Sequence, residues 1–369
     1  MPTSHSASAA SKPPHPKAHS HAKAKRNAPK VSPGHAGRKL AWVPLGLVSI
    51  WVLAALAFDL RPRGLMAVCV ICYVGFLFSI LRSSLHGWQK AAAWVAAHGL
   101  IIGWWLTLTP TGKGDWQTDV SRLPWSVQTG DRVVIHDVRN FFYQTETDYI
   151  PHWETRTVDL SKLQGADVFL THWGVPLVAH CIISFRFSDG TYLATSIEAR
   201  KVKGEDYSMI RGFFRQYEVI FLMADERDVV RLRTNFRQHE EVSLYRTKLT
   251  PADTRRLFEN YLAWMNAART QPQWYNAVTM NCGTEPIGFL ADHKIGGISR
   301  WDWRGLLAGD GDKMLYDLGD LVTDGLPFDA LKHQANINVV ARAEDADPAF
   351  SSLIREGRAG FGPATAAKK

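Results

Sequence analysis

The sequence predicts an α+β protein in which three N-terminal transmembrane helices precede an extracytoplasmic domain of mixed strands and helices. Three observations carry this expectation. Residues 40–110 hold three apolar stretches of spanning length. After Pro110 the pattern changes to period-two strands and amphipathic helices. The net charge of +8 is confined to the first 39 residues.

Residues 1–39 are rich in Ala, Lys, Pro, Ser and His and lack apolar periodicity. Such a segment buries too little surface to offset its ordering entropy and is expected to be disordered. Its basic residues are Lys12, Lys17, Lys23, Lys25, Arg26, Lys30, Arg38 and Lys39, with no acidic residue, so the remaining chain is neutral. The folded part therefore lacks the broad positive field that a phosphate backbone requires, and nucleic acid is not an expected partner. His5, His15, His19, His21 and His35 follow spacings that fit no closed metal site, and no cofactor is expected.

Leu40–Leu60 holds no charge before Asp59, Gly64–Leu81 holds none, and Ala91–Thr109 holds only His98. Each stretch is about 18–20 residues, enough at ~1.5 Å rise per residue to cross a hydrocarbon core roughly 30 Å thick. Trp104 and Trp105 stand near the end of the third, where indoles favour the membrane interface. The first stretch begins far from Met1 and two more follow it, which argues against a cleaved signal peptide. The basic tail holds the N-terminus inside, so three crossings put residue 110 outside. The bilayer is thus an expected partner, at the cytoplasmic membrane.

The domain is expected over 111–345, with a flexible tail over 346–369. Asp131–Asp137 and Val219–Ala224 read as strands. Leu177–Phe187 alternates, with Cys181, Ile183, Phe185 and Phe187 on one face and His180, Ser184 and Arg186 on the other. Asp189-Gly190 signals a hairpin, and Tyr192–Arg200 returns. Thr250 and Pro251 open a helix to about Arg269, whose stripe of Leu257, Phe258, Tyr261, Leu262 and Met265 is ordinary core packing. A second helix begins near Cys282 and ends before Gly296 and Gly297.

Cys282 is the candidate nucleophile. Unsatisfied N–H groups at a helix start, with the positive end of its dipole, favour thiolate over thiol. The same groups suit an oxyanion, with the Asn281 amide as an extra donor. His180 is the candidate base, flanked on its face by Ser184; His172, His293 and His333 sit in less regular contexts. Glu198 and Ser196 are candidates to orient the imidazole, and hairpin register decides between outcomes. A two-residue loop pairs His180 with Ala199, whereas a three-residue loop with a glycine bulge pairs it with Glu198. Glu198 and Arg200 equally make a structural ion pair. Cys181 projects to the opposite face, which disfavours a disulfide with Cys282. Cys69 and Cys72 fall within an apolar stretch and read as buried thiols.

The stretch His180–Arg200 resembles the signature of the Lnb-type N-terminal periplasmic domain family. So do Phe213–Glu218, Ala224–Asp228, Leu232–Asn235 and Trp274–Asn276 through Asn281-Cys282, across about residues 115–340. The resemblance implies a papain-like, permuted NlpC/P60-like scaffold, with the family's cysteine at Cys282 and its histidine at His180. A characterised member moves an acyl chain within the lipid-bearing N-terminus of a lipoprotein. Two departures stand out. The family commonly has Thr where this chain has Gly283, and that member carries its membrane helices after the domain. The expectation is a membrane-anchored thiol acyltransferase or hydrolase acting on a lipid, lipoprotein or peptide acyl group. The alternative is a non-catalytic envelope binding or assembly module on the same fold.

Overall fold

A computed structural model describes residues 42–306, 308–345 and 347–362. The basic tail expected over 1–39 lies outside the described residues. The chain divides into two compact units, residues 1–50 and 51–369. The described part of the first is the opening of helix α1, Trp42–Asp59.

Helices α2, Arg63–Arg82, and α3, Gly87–Thr107, follow, so each of the three apolar stretches is helical. Among the described residues, α2 is the one helix long and apolar enough to cross a membrane; α1 is apolar but shorter. The polar groups of these helices find partners. Tyr73 Oη and His98 Nε2 lie 2.7 Å apart, and Trp94 stacks on the same imidazole. Buried polar groups in an apolar helix pair must be satisfied internally, and these are.

The domain is built on an eight-stranded sheet. Its strands are β1 Trp125–Thr129, β2 Arg132–Arg139, β5 Trp153–Asp159, β6 Leu163–His172, β7 Ala179–Phe187, β8 Tyr192–Arg200, β9 Glu218–Ala224 and β10 Glu241–Arg246. The order is β1-β2-β9-β8-β7-β6-β10, with β5 paired to β2. β3, Phe142–Tyr143, and β4, Tyr149–Ile150, form a separate short hairpin. The pairings are antiparallel except β2 with β9.

Both sheet faces are covered. On one, Ile183, Phe185 and Phe187 of β7 meet helix α5, Pro251–Thr270, through Leu257, Phe258, Tyr261, Leu262 and Met265. Burying five such side chains contributes roughly 1.5–3 kcal/mol each. Thr250 caps this helix as expected, accepting the Asp253 N–H at 3.1 Å. On the other face, Phe169, Ile182 and Ala194 meet helix α4, Glu226–Arg231, and the chain's C-terminal helices.

The C-terminus differs from expectation. A flexible tail was expected over 346–369, but among the described residues of that stretch, 347–362, Phe350 and Ile354 are fully buried. Arg355, also buried, donates to Asp167 Oδ2 at 2.8 Å and to both Glu226 oxygens at 2.7 and 2.8 Å. A bidentate, buried guanidinium fixes the segment geometrically. Residues 363–369 lie outside the described residues.

Candidate functional site

The site forms where the β7–β8 hairpin meets the start of helix α6, Thr284–Asp292. Gly190 adopts φ +85°, and Thr191 O accepts the Phe187 N–H at 3.0 Å. This is a three-residue loop with a glycine in the left-handed region. It sets Ile182 opposite Ser196, and two residues further along it carries His180 opposite Glu198. The register left open by the sequence is therefore the one that brings imidazole and carboxylate together.

His180 Nε2 lies 2.8 Å from Ser196 Oγ, and Ser196 Oγ donates to Glu198 Oε1 at 2.9 Å. The direct Nε2–Oε1 separation is 3.6 Å. A serine hydroxyl has one proton. Given to Glu198, it leaves Ser196 Oγ to accept from His180 Nε2–H, so the imidazole lone pair is at Nδ1.

Burial and the neighbouring Arg233 guanidinium hold the His180 pKa down at about 3. Burial pushes Glu198 up, but His180, Arg139 and Arg233 outweigh it and hold the carboxyl down at about 2. At neutral pH the pair is a neutral imidazole and a carboxylate.

Cys282 stands one residue before the α6 N-cap, Gly283. Asn281 Oδ1 accepts the N–H groups of Gly283 and Thr284 at 2.8 and 3.0 Å, and its amide nitrogen donates to Ala277 O at 2.9 Å. Asn281 thus acts as the helix cap. The N–H groups of Gly283 and Thr284 are taken by the Asn281 amide oxygen and are not left for the sulfur, contrary to the expectation from sequence. Burial pushes the Cys282 thiol up, against the N–H of Cys181 and the charge of Arg233. The Cys181 N–H, at the point where the β7–β8 ladder ends, donates to Cys282 Sγ at 3.4 Å.

Cys282, His180, Glu198 and Asn281 line one cavity of about 360 Å³, together with Arg233 and Arg237. Ser184 and Arg200 are not part of it. Ser184 is fully buried, and its hydroxyl has no hydrogen-bond partner among the described residues. Arg200 stands opposite Glu218 in the β8–β9 register, 3.8 Å from its carboxylate. Its other donors go to the carbonyls of Val120 and Ser121, each at 2.9 Å. The Glu198–Arg200 ion pair weighed from sequence is replaced by this cross-strand pair. Cys181 and Cys282 are both free thiols.

Two cations were missed. Arg233 lies 3.7 Å from Glu198 and 3.2 Å from Glu240, and Arg237 is 3.4 Å from Glu240. Arg233 projects from a π-helical turn, Leu232–Phe236, that continues α4. The Leu232–Asn235 motif pointed to this segment but gave it no role. Upstream, the buried Asp228 carboxylate takes the Arg139 guanidinium at 2.9–3.2 Å and the Phe141 N–H at 2.8 Å. The Ala224–Asp228 motif is therefore scaffold. Among the described residues no group of three His, Cys, Asp or Glu side chains is placed to hold a metal ion.

No curated protein and no solved structure matches the chain. A family model does, over residues 149–308, which span β4 to the wall of the cavity and include both Cys282 and His180. Over those residues the chain is similar to the Lnb N-terminal periplasmic domain family.

Proposed function

We propose that this is a membrane-anchored, periplasm-facing thiol acyltransferase or hydrolase acting on an acyl group of a lipid, lipoprotein or peptide. The observation that carries the reading is the shared cavity. One thiol and one imidazole line it, and the imidazole is backed by a serine and a carboxylate.

In the resting state thiol and imidazole are neutral. As Cys282 Sγ attacks the carbonyl carbon, its proton passes to His180 Nδ1, and the imidazolium is stabilised by Glu198 through Ser196. The Cys181 N–H offsets charge on the sulfur. Collapse of the tetrahedral species expels the alcohol or amine, which takes the proton from His180 and leaves an acyl-thioester. An acceptor amine, alcohol or water then attacks and restores the thiol. A helix start bearing the cysteine against a strand bearing the histidine is the papain-like arrangement we assign to this domain. We further assign α1, α2 and α3 as three spans that put residue 110 outside the cytoplasmic membrane.

The second reading is a non-catalytic envelope binding module. It is favoured by the upward shift of the Cys282 thiol and by the two arginines, which suit an anionic ligand. A thiol-reactive acyl probe separates the two. The enzyme reading expects labelling of the wild type and none of Cys282→Ala, and equal labelling of both removes the nucleophile.

A further inference from the structure

The wall of the cavity is fastened to the ends of the apolar helices. Asp59, the last residue of α1, accepts the Trp105 indole N–H at 2.7 Å and the Arg215 backbone N–H at 3.3 Å. Gln216 donates to Phe58 O at 2.9 Å. Arg215 donates to Leu108 O, just past α3, and its guanidinium lies 4.2 Å over the Trp105 ring. Trp274 donates to the same Leu108 carbonyl at 3.0 Å. Phe214 packs on Phe58 and Trp51.

From these anchors the chain runs directly into the site. Gly212 O accepts the Ala277 N–H at 2.8 Å, and Phe213 O accepts from the Asn276 amide at 3.3 Å. Tyr207, Met209 and Phe213 line the cavity beside Cys282. The same short loop turns apolar side chains outward, with Ile210 64 % and Phe213 37 % exposed. Apolar side chains this exposed, close to the ends of apolar helices and beside a cavity mouth, suit a headgroup layer. The aromatic and arginine residues around them are the types that settle at a membrane interface.

We infer that the loop 207–213 is a membrane-surface contact. Ile210 and Phe213 enter the headgroup region of the outer leaflet, and the cavity holding Cys282 opens at the lipid–water boundary, so that its substrate arrives along the bilayer. This rests on the assignment of α1–α3 as spans and is independent of whether Cys282 is a nucleophile.

The test uses the full chain in liposomes, with Cys69→Ala, Cys72→Ala, Cys181→Ala and Cys282→Ser as background, so that none of the four native thiols takes the label. A polarity-sensitive fluorophore is attached at Ile210→Cys and, separately, at Ile71→Cys on α2 and at Val339→Cys on the helix Asn338–Ala343, which packs on the Phe169 and Ile182 face of the sheet. Residues 71, 210 and 339 are 70, 64 and 81 % exposed, so the substitutions leave the core intact. Phe213→Cys gives a second position in the loop. The inference expects the probes at 210 and 213 to be blue-shifted and quenched by spin-labelled lipid. It expects iodide to quench them several-fold less than the probe at 339. Iodide quenching at 210 and 213 equal to that at 339, with 71 quenched by lipid, overturns the loop contact and leaves the spans standing. Iodide quenching at 71 as well overturns the spans and the inference together. Neither result bears on turnover.

Discussion

Acidification is the sharpest probe of the site's electrostatics, because the fold holds His180 neutral and Glu198 ionised. The His180 pKa is about 3 against an ordinary 6.5, and that of Glu198 about 2 against 4.5. Both folded values are depressed, so the unfolded chain binds more protons in the window below each ordinary value. Stability is then fully present above pH 6.5 and lost as pH falls, first through His180 and below 4.5 through Glu198 as well. One titrating group contributes a slope approaching about 1.4 kcal/mol per pH unit. Carried through its whole window, His180 alone removes roughly 4–5 kcal/mol. That is comparable with the total stability of many domains, about 5–15 kcal/mol. Other carboxylates also titrate, so the assay is a difference. Chemical-denaturation midpoints are measured from pH 7 to pH 4 for detergent-solubilised wild type and His180→Gln. The gap between the two stability curves should close steadily as pH falls from 6.5 to 4.5. Parallel curves over that window would mean the imidazole protonates in the folded state as freely as in water, and the neutral-base assignment would fall.

Three further outcomes follow from the packing. Ser196→Ala leaves His180 Nε2–H with only Glu198 at 3.6 Å, too far for a hydrogen bond, at a cost of about 1–3 kcal/mol. The acylation rate should drop roughly tenfold or more while the Cys282 thiol remains titratable by a thiol reagent. Asp228→Asn breaks the buried bidentate pair with Arg139 and should destabilise the domain by about 3–5 kcal/mol, seen as a lowered unfolding midpoint. Gly283→Thr, the residue the family commonly carries, puts a Cβ 2.7 Å from the Gly305 carbonyl oxygen. The backbone must shift, and thermal unfolding should report a loss of about 1–3 kcal/mol.

Much of this was legible in the chain because the governing signals are local. Alternation from Cys181 to Phe187 marks a strand with one face to the core, and Thr250-Pro251 opens a helix with a five-residue apolar stripe. That His180 and Cys282 share a cavity was implied by the resemblance, since 102 positions separate the two residues and no local pattern links them. Register was undecidable from Asp189-Gly190, because both loop lengths suit that dipeptide; the Phe187 N–H bond to Thr191 O, which encloses three residues, decided it. Arg200 shows why an i, i+2 spacing misleads in a sheet. The residue directly opposite, Glu218, is supplied by another strand and captures the guanidinium. Arg233 and Arg237 were invisible as site residues because a π-helical turn, Leu232–Phe236, and the residue after it carry them to the cavity, which no local pattern signals. The packed segment 347–362 eluded the reading because its helix, Phe350–Leu353, is a single turn. Its hold comes from Phe350, Ile354 and the buried Arg355, whose partners lie far back in the chain.

The central claim is that the Cys282 sulfur and the His180 imidazole act as one unit. The most direct measurement is the single-turnover rate at which an acyl group becomes bound to the peptide containing Cys282, followed by mass spectrometry in wild type and His180→Gln. A thioester on Cys282 is expected, with a rate about 10²-fold or more lower in the variant, the usual scale of a lost general base. An adduct that forms at equal rates in both proteins, or that sits on Cys181, would contradict it.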